Sequence, residues 1–115
     1  MKVDFDIAYK KTNANEGGWV HEDDDTELET YCGISRKWFP KWGGWPIVDA
    51  HKPLHKGQVI NDARLIQLKK EFYRSEFWHK LFPTDECDSQ ELADEVYDMA
   101  VNASVETAKK LLKQS

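Results

Sequence analysis

Long apolar runs, paired cysteine motifs and an excess of basic residues are all missing from this sequence of 115 residues. No run approaches the length needed to cross a bilayer, and the first residues lack the apolar stretch of a Sec signal, so we expect a soluble chain without membrane insertion. The formal charge is −5 and no basic stripe is present. This balance argues against nucleic acid as a partner, because neutralising phosphates requires clustered Lys and Arg.

The two cysteines, Cys32 and Cys87, show no CxxC spacing, so the sequence predicts neither a metal nor a redox cofactor. We predict two thiols, with a single disulfide as the alternative. His51 and His55 have ligand-like spacing only on a helix, and Pro53 between them disfavours a helix.

The sequence does contain enough apolar residues, 40%, to build one core, and we expect a single domain over residues 1–115. Its five tryptophans are many for this length. Each can belong to the core or can stack on a sugar ring, because indole combines a flat apolar body with a polar N–H group.

Helical spacing and capping residues predict a mainly α fold. Asp4 is the expected N-cap of a first helix that ends at Glu16, before two glycines. A long loop or small hairpin follows over residues 19–33 and includes the acidic run 22–25. Residues 38–60 are predicted to be loop, because proline and glycine recur too closely for a long regular element.

Three further helices are predicted in the second half of the chain. The first begins at Asn61 or Asp62 and ends before Pro83. Asp88, with a glutamate three residues later, is the expected cap of the next, and Ser104 is the expected cap of the last.

Hydrolysis of a glycosidic bond requires a protonated carboxyl group and usually a second carboxylate. Glu16 and Asp25 can form such a pair, and the predicted helix end would raise the pKa of Glu16 through burial and the helix dipole. Asp24 is an alternative to Asp25. A solvated acidic loop without catalytic function is a second interpretation of the run.

Two ordered segments carry a specific resemblance. Residues 15–20 read Asn-Glu-Gly-Gly-Trp-Val, and residues 29–35 read Glu-Thr-Tyr-Cys-Gly-Ile-Ser. This pattern resembles the glycosyl hydrolase 108 signature, in which Glu-Gly-Gly-aromatic-Val is followed at this distance by Glu-Thr-Asn-Tyr-Gly-Ile. Residues 72–78 and 96–102 are similar to two later blocks of the family, Tyr-Arg-x-x-Tyr-Trp and Phe-Asp-x-Ala-Val-Asn.

The resemblance implies a lysozyme-like N-acetylmuramidase that cuts peptidoglycan glycan strands, with Glu16 as the general acid and no cofactor. The order Glu16, Asp25, Thr30 is similar to that of phage-type lysozymes, and it implies a second carboxylate at Asp25 and a water-positioning hydroxyl at Thr30. We expect substrate contacts from Trp19, Tyr31 and Asn102, with a helix C-cap as the alternative role for Asn102. We also expect a monomer that is made in the cytoplasm without a Sec signal and acts on the cell wall.

The chain departs from the family pattern in three places. Residues 26–28, Thr-Glu-Leu, replace the usual Pro-Gly-Gly, and Tyr31-Cys32 replace Asn-Tyr. We also expect that the peptidoglycan-binding segment that is common after the catalytic helices is absent from this chain. A non-catalytic saccharide-binding or secretion-associated module and a lytic transglycosylase are the alternative functions, and the stereochemistry of cleavage is left open.

Overall fold

The structure is a computed structural model of the chain, and it describes residues 1–14, 17–21 and 29–114. These residues form two compact units, which we describe separately: residues 1–14 with 70–114, and residues 17–21 with 29–69. The predicted mainly α, lysozyme-like class is confirmed. The helices are α1 (Phe5–Thr12), α2 (Trp45–Ala50), α3 (Ala63–Tyr73), α4 (His79–Leu81), α5 (Gln90–Asn102) and α6 (Val105–Gln114), and the strands are β1 (Trp19–Val20), β2 (Thr30–Tyr31) and β3 (Ile34–Ser35).

In the first unit, α1 begins where the sequence predicts. The Asp4 side chain accepts a hydrogen bond from the Asp6 amide and caps the helix. Aromatic rings fill the core beside it, with the Phe5 ring centroid 5.6 Å from that of Trp78 and 5.7 Å from that of Tyr97. These three side chains are at most 3% exposed, and their burial supplies much of the unit's hydrophobic stabilisation.

The end of α1 differs from the prediction. The helix stops at Thr12, and Asn13 forms its C-cap with a backbone N–H donated to the Tyr9 carbonyl. The Asn13 side chain is buried and accepts a hydrogen bond of 2.7 Å from the Tyr97 hydroxyl. Because this bond fixes Asn13 outside the helix, the helix ends before Glu16, and the prediction that Glu16 terminates it is wrong.

The predicted helix that ends at Pro83 is confirmed as a continuous helical stretch with one irregularity. Asp62 caps α3 by accepting a hydrogen bond of 2.9 Å from the Leu65 amide. A π-helical turn over Arg74–Trp78 then joins α3 to α4, which ends at Leu81, two residues before Pro83. The family-like block at residues 72–78 therefore coincides with this turn.

The last two helices pack together in the first unit, and their caps correct one prediction. Ser89, not Asp88, is the N-cap of α5, because its hydroxyl accepts a hydrogen bond of 3.1 Å from the Leu92 amide. Ser104 caps α6 as predicted and accepts from the Thr107 amide at 3.1 Å. Four apolar side chains of α5 differ in burial: Val96 and Ala100 are buried, and Leu92 and Met99 are half-buried.

The second unit contains the predicted hairpin as a three-stranded antiparallel sheet in the order β1-β2-β3. Strands β2 and β3 are joined by Cys32 and Gly33, whose φ angles of 49° and 84° are typical of a type I′ turn. Residues 38–60 are not all loop, since they contain α2. Pro46 fits the first turn of this helix, where no amide donor is needed, and Trp45 is buried at its start.

Two further observations concern the whole described chain. Cys32 and Cys87 are both thiols rather than a disulfide, as predicted. Among residues 1–14, 17–21 and 29–114, no helix has the length and apolar character that a membrane span requires.

Candidate active site

The two predicted carboxylates, Glu16 and Asp25, lie outside the described residues, as does Asp24. The structure instead describes the segments on either side of them, residues 17–21 and 29–36. Since α1 ends at Thr12, a helix C-terminus no longer supports a raised pKa at Glu16. Its assignment therefore depends on the motif and on the geometry that follows it.

The residues directly after Glu16 are held by backbone hydrogen bonds on two sides. Gly18 has a φ of 66°, and its carbonyl accepts a hydrogen bond of 2.8 Å from the Cys32 amide. The Trp19 amide donates to the Gln58 carbonyl at 2.9 Å, and the Trp19 carbonyl accepts from the Gly57 amide at 2.7 Å. A Cβ on Gly18 would lie only 2.5 Å from the Gly57 carbonyl oxygen, so this close approach requires glycine.

Thr30 and Tyr31 lie side by side in β2 but in different surroundings. Thr30 is half-buried, and its Cα pairs with Val20 on one side and Ser35 on the other. Tyr31 is 2% exposed, and its hydroxyl accepts a hydrogen bond of 3.0 Å from the Ile60 amide. Burial raises the pKa of the Tyr31 hydroxyl. Tyr31 thus belongs to the core of this unit and leaves no ring face for a sugar.

Trp19 is half-buried, and its indole N–H donates to Oε2 of Glu29 at 2.8 Å. The His21 ring lies beside it, edge-on, with 5.9 Å between ring centroids. Nε2 of His21 is buried and has no hydrogen-bond partner among the residues that the structure describes. The Trp19 ring is partly exposed and its nitrogen is hydrogen-bonded, so it is suited to packing against a sugar.

Glu29 is a buried charged residue for which the sequence predicted no separate role. Its side chain is 6% exposed and is neutralised by two cations, with Oε1 2.8 Å from Arg36 and Oε2 2.6 Å from Lys52. Asp49 bridges the same cations at 2.8 and 3.0 Å. The Arg36 amide also donates to the Glu29 carbonyl at 2.9 Å, which continues the pairing of β2 with β3.

This four-residue network fixes the charge state of its members. Burial would raise the pKa of Glu29, but hydrogen bonds from Lys52, Arg36 and Trp19 outweigh it and lower that pKa below the usual value. Hydrogen bonds from Arg36 lower the pKa of Asp49 to about 2, and they raise the pKa of Arg36 in return. Glu29 is therefore ionised at neutral pH and cannot serve as a proton donor.

Asn102 is the last residue of α5, in the unit that holds residues 1–14 and 70–114. Its side-chain amide donates to the Asp98 carbonyl at 3.0 Å and to Asp98 Oδ1 at 3.2 Å. Both bonds stay within one helical turn, and the C-cap of α5 is Ala103, one residue later than the alternative for Asn102 placed it. Its contact with substrate stays a prediction.

Metal ligands do not gather in the described part of the chain, where no group of three or more His, Cys, Asp or Glu side chains could hold an ion. His51 uses Nδ1 in a contact of 2.9 Å with the Ile47 carbonyl, inside and just after α2. The described carboxylates near β1 and β2 are thus paired with Arg and Lys side chains and with an indole N–H group.

Comparison with known protein families gives a match over most of the chain. The family model described as Glycosyl hydrolase 108 matches residues 9–103, which is most of the chain and includes both segments around the sheet. No curated protein matches the chain, and no solved structure matches it either.

Proposed function

Because the chain belongs to the glycosyl hydrolase 108 family, we propose that it is an N-acetylmuramidase that cleaves the β-1,4 bond between N-acetylmuramic acid and N-acetylglucosamine in peptidoglycan. The family match over residues 9–103 is the observation that carries this proposal. In this proposal Glu16 is the general acid, Asp25 is the second carboxylate, and Thr30 positions a water molecule.

The segment after Glu16 supports its role as the acid. Gly18 and Trp19, two and three residues after Glu16, are held by three backbone hydrogen bonds, and general acid catalysis requires rigid placement of the acid. Glu29, the other glutamate of the paired motifs, is ionised and fully engaged in ion pairs. The proton donor must therefore be a different carboxyl group, which favours Glu16.

Substrate recognition in this proposal centres on Trp19. Its half-exposed indole ring can pack against an N-acetylhexosamine ring, while Tyr31 acts indirectly by supporting the sheet beneath. Asn102 is a further candidate contact for the acetamido group. The chain's net charge of −5 offers no attraction to the anionic wall, so affinity would come from such sugar contacts.

The test is digestion of purified peptidoglycan by the chain, followed by mass analysis of the released muropeptides. A muramidase releases fragments with a reducing N-acetylmuramic acid end, whereas a lytic transglycosylase releases the anhydro form. Glu16→Gln should keep the fold and lose at least a hundredfold in rate, because the amide cannot donate a proton and general acid catalysis is worth about that factor or more. Glu22→Gln, in the nearby acidic run, is the matched control and should stay active.

Two outcomes would contradict the proposal. If Glu16→Gln retained more than about a tenth of the wild-type rate, the acid would be a different residue. If the wild-type chain bound peptidoglycan but released no fragments, it would be a saccharide-binding or secretion-associated module.

A further inference from the structure

The Glu29 carboxylate accepts hydrogen bonds from three side chains, and one of these three donors is an aromatic ring. Arg36 and Lys52 hold Oε1 and Oε2 at 2.8 and 2.6 Å, and the Trp19 indole N–H reaches Oε2 at 2.8 Å. Since the cations fix both oxygens, the carboxylate in turn fixes the position of the indole nitrogen.

The rest of Trp19 is fixed from the other side. Its amide and carbonyl both pair with the backbone of residues 57–58, at 2.9 and 2.7 Å. A tryptophan side chain has two rotatable bonds, and the contact between its N–H group and Glu29 restricts both. The half-exposed ring is thus presented in one orientation.

Stability alone is a poor explanation for this arrangement. Burying an ionised carboxylate is costly, and a buried ion pair seldom stabilises a fold more than apolar residues of the same size would. The two cations also share a second, more exposed partner in Asp49, whose side chain is 42% exposed against 6% for Glu29. Glu29 and Asp49 share Arg36 and Lys52 as side-chain partners. Among the described residues, the hydrogen bond from the Trp19 indole N–H is the side-chain contact that distinguishes Glu29 from Asp49.

We propose that Glu29 is a positioning residue for glycan binding, which holds the Trp19 indole in the orientation that packs against a sugar ring of the substrate. This inference rests on the proposed function, because it concerns the same substrate and a ring three residues after Glu16. Glu29 itself touches neither the scissile bond nor the sugar, and it acts only through Trp19.

Kinetics with soluble peptidoglycan oligomers provide the first test. Glu29→Gln places an amide among donors, so the side chain turns away and the indole loses its fixed acceptor; KM should rise about fivefold with kcat nearly unchanged. Trp19→Phe should have a similar effect. In the double variant KM should rise no further, because each change removes the same interaction.

Asp49→Asn is the matched control, since it disturbs Arg36 and Lys52 without a contact to the indole. It should leave KM within about twofold of the wild-type value. If Asp49→Asn raises KM as much as Glu29→Gln does, or if the effects of Glu29→Gln and Trp19→Phe on KM multiply, the role of Glu29 is structural and the inference is overturned.

A spectroscopic test needs no Glu29 variant, so it can be carried out even if Glu29→Gln does not fold. The indole N–H resonance of Trp19 is identified by its loss in Trp19→Phe. In wild-type protein this resonance should shift in acid, at a pH below the usual glutamate range, as Glu29 is protonated and the hydrogen bond weakens. A resonance that does not move while the protein stays folded would overturn the inference.

The failures of the two proposals are distinguishable. A wild-type chain that releases no muropeptides overturns the proposed function and with it the role of Glu29 in glycan binding. Normal release of muropeptides by wild type, with an unchanged KM in folded Glu29→Gln, overturns only the inference about Glu29.

Discussion

At the scale of single residues, the backbone conformation of the segment after Glu16 depends more on Gly18 than on Gly17. Gly18 has a φ of 66°, and the carbonyl oxygen of Gly57 lies only 2.5 Å from the position that a Cβ on Gly18 would take. Gly17 has open space around the same position, with nothing within 4 Å. The two glycines of the Glu-Gly-Gly motif therefore have different physical roles, and only the second is required by close backbone approach.

We predict that Gly18→Ala lowers the free energy of unfolding by about 3 kcal/mol, because it combines a left-handed backbone with a collision against main-chain atoms. Gly17→Ala is the control and should change the free energy by no more than about 0.5 kcal/mol. Urea unfolding of both variants measures the difference. Equal losses in the two variants would mean that the hydrogen bonds to residues 57–58 do not hold this segment.

The second carboxylate of the proposed mechanism can also be tested by single substitutions. We predict that Asp25→Asn lowers the rate of peptidoglycan cleavage by more than Asp24→Asn does, because only Asp25 has the spacing from Glu16 that phage-type lysozymes share. Initial rates on one peptidoglycan preparation, with melting temperatures to control for folding, test this. A larger loss at Asp24 would move the role there, and no loss at either would indicate a mechanism with one carboxylate.

At the scale of elements, four helix starts are set by short side chains whose oxygen accepts a hydrogen bond from an amide in the first turn. Asp4, Asp62, Ser89 and Ser104 each accept such a bond, at 2.8 to 3.1 Å. Three of these caps could be predicted from the sequence. The fourth was assigned one residue too early, because Asp88 and Ser89 are both good capping residues and only the backbone geometry distinguishes them.

We predict that Ser89→Ala lowers the free energy of unfolding by about 1 kcal/mol, since the Leu92 amide loses its acceptor. Asp88→Ala should have an effect of less than about 0.5 kcal/mol, because Asp88 is exposed and precedes the cap. Thermal melts of the two variants under identical conditions make the comparison. The reverse order of effects would show that Asp88 caps α5 in solution.

The hairpin shows how much of the site the sequence could reveal. Glu29 stands opposite Arg36 because Cys32 and Gly33 form a two-residue turn, which pairs Thr30 with Ser35 and extends to the next residues. Recognising Cys-Gly as a I′ turn would have predicted this cross-strand ion pair. The contacts of Lys52 and Asp49 with Glu29 and Arg36 could not be predicted, because α2 is only six residues long and such short helices leave little periodicity.

At the scale of the whole molecule, carboxylates outnumber basic side chains, 21 against 16, and several are stabilised in the ionised form. Hydrogen bonds lower the pKa of Asp6, chiefly through Lys70, and that of Asp49, chiefly through Arg36. The pKa of Glu29 is lowered as well. Protonating these groups removes native interactions that the unfolded chain lacks, so the protein should lose stability in acid.

Asp49 allows this acid dependence to be tested quantitatively, because its pKa falls from a usual value of 3.8 to about 2 in the folded protein. A carboxyl group with a lowered folded pKa stabilises the fold above its unfolded pKa, and that contribution disappears as the pH falls through the folded pKa. At pH 6 we expect Asp49→Asn to be less stable than wild type by about 1 kcal/mol, an amount that allows for screening of this partly exposed group.

That difference should narrow as the pH falls from 4 to 2, where wild-type Asp49 becomes about half protonated, and it should vanish only below pH 2, where the protonated side chain resembles the amide. Melting temperatures of the two proteins across this range measure it, and about 1 kcal/mol corresponds to a shift of several degrees for a domain of this size. Asp88→Asn, which removes an exposed carboxyl group outside the network, controls for the change in net charge. A stability difference that stays constant down to pH 2 would contradict the prediction. It would mean that Arg36 does not stabilise the ionised form of Asp49 in solution, and that Arg36 and Lys52 have Glu29 as their effective partner.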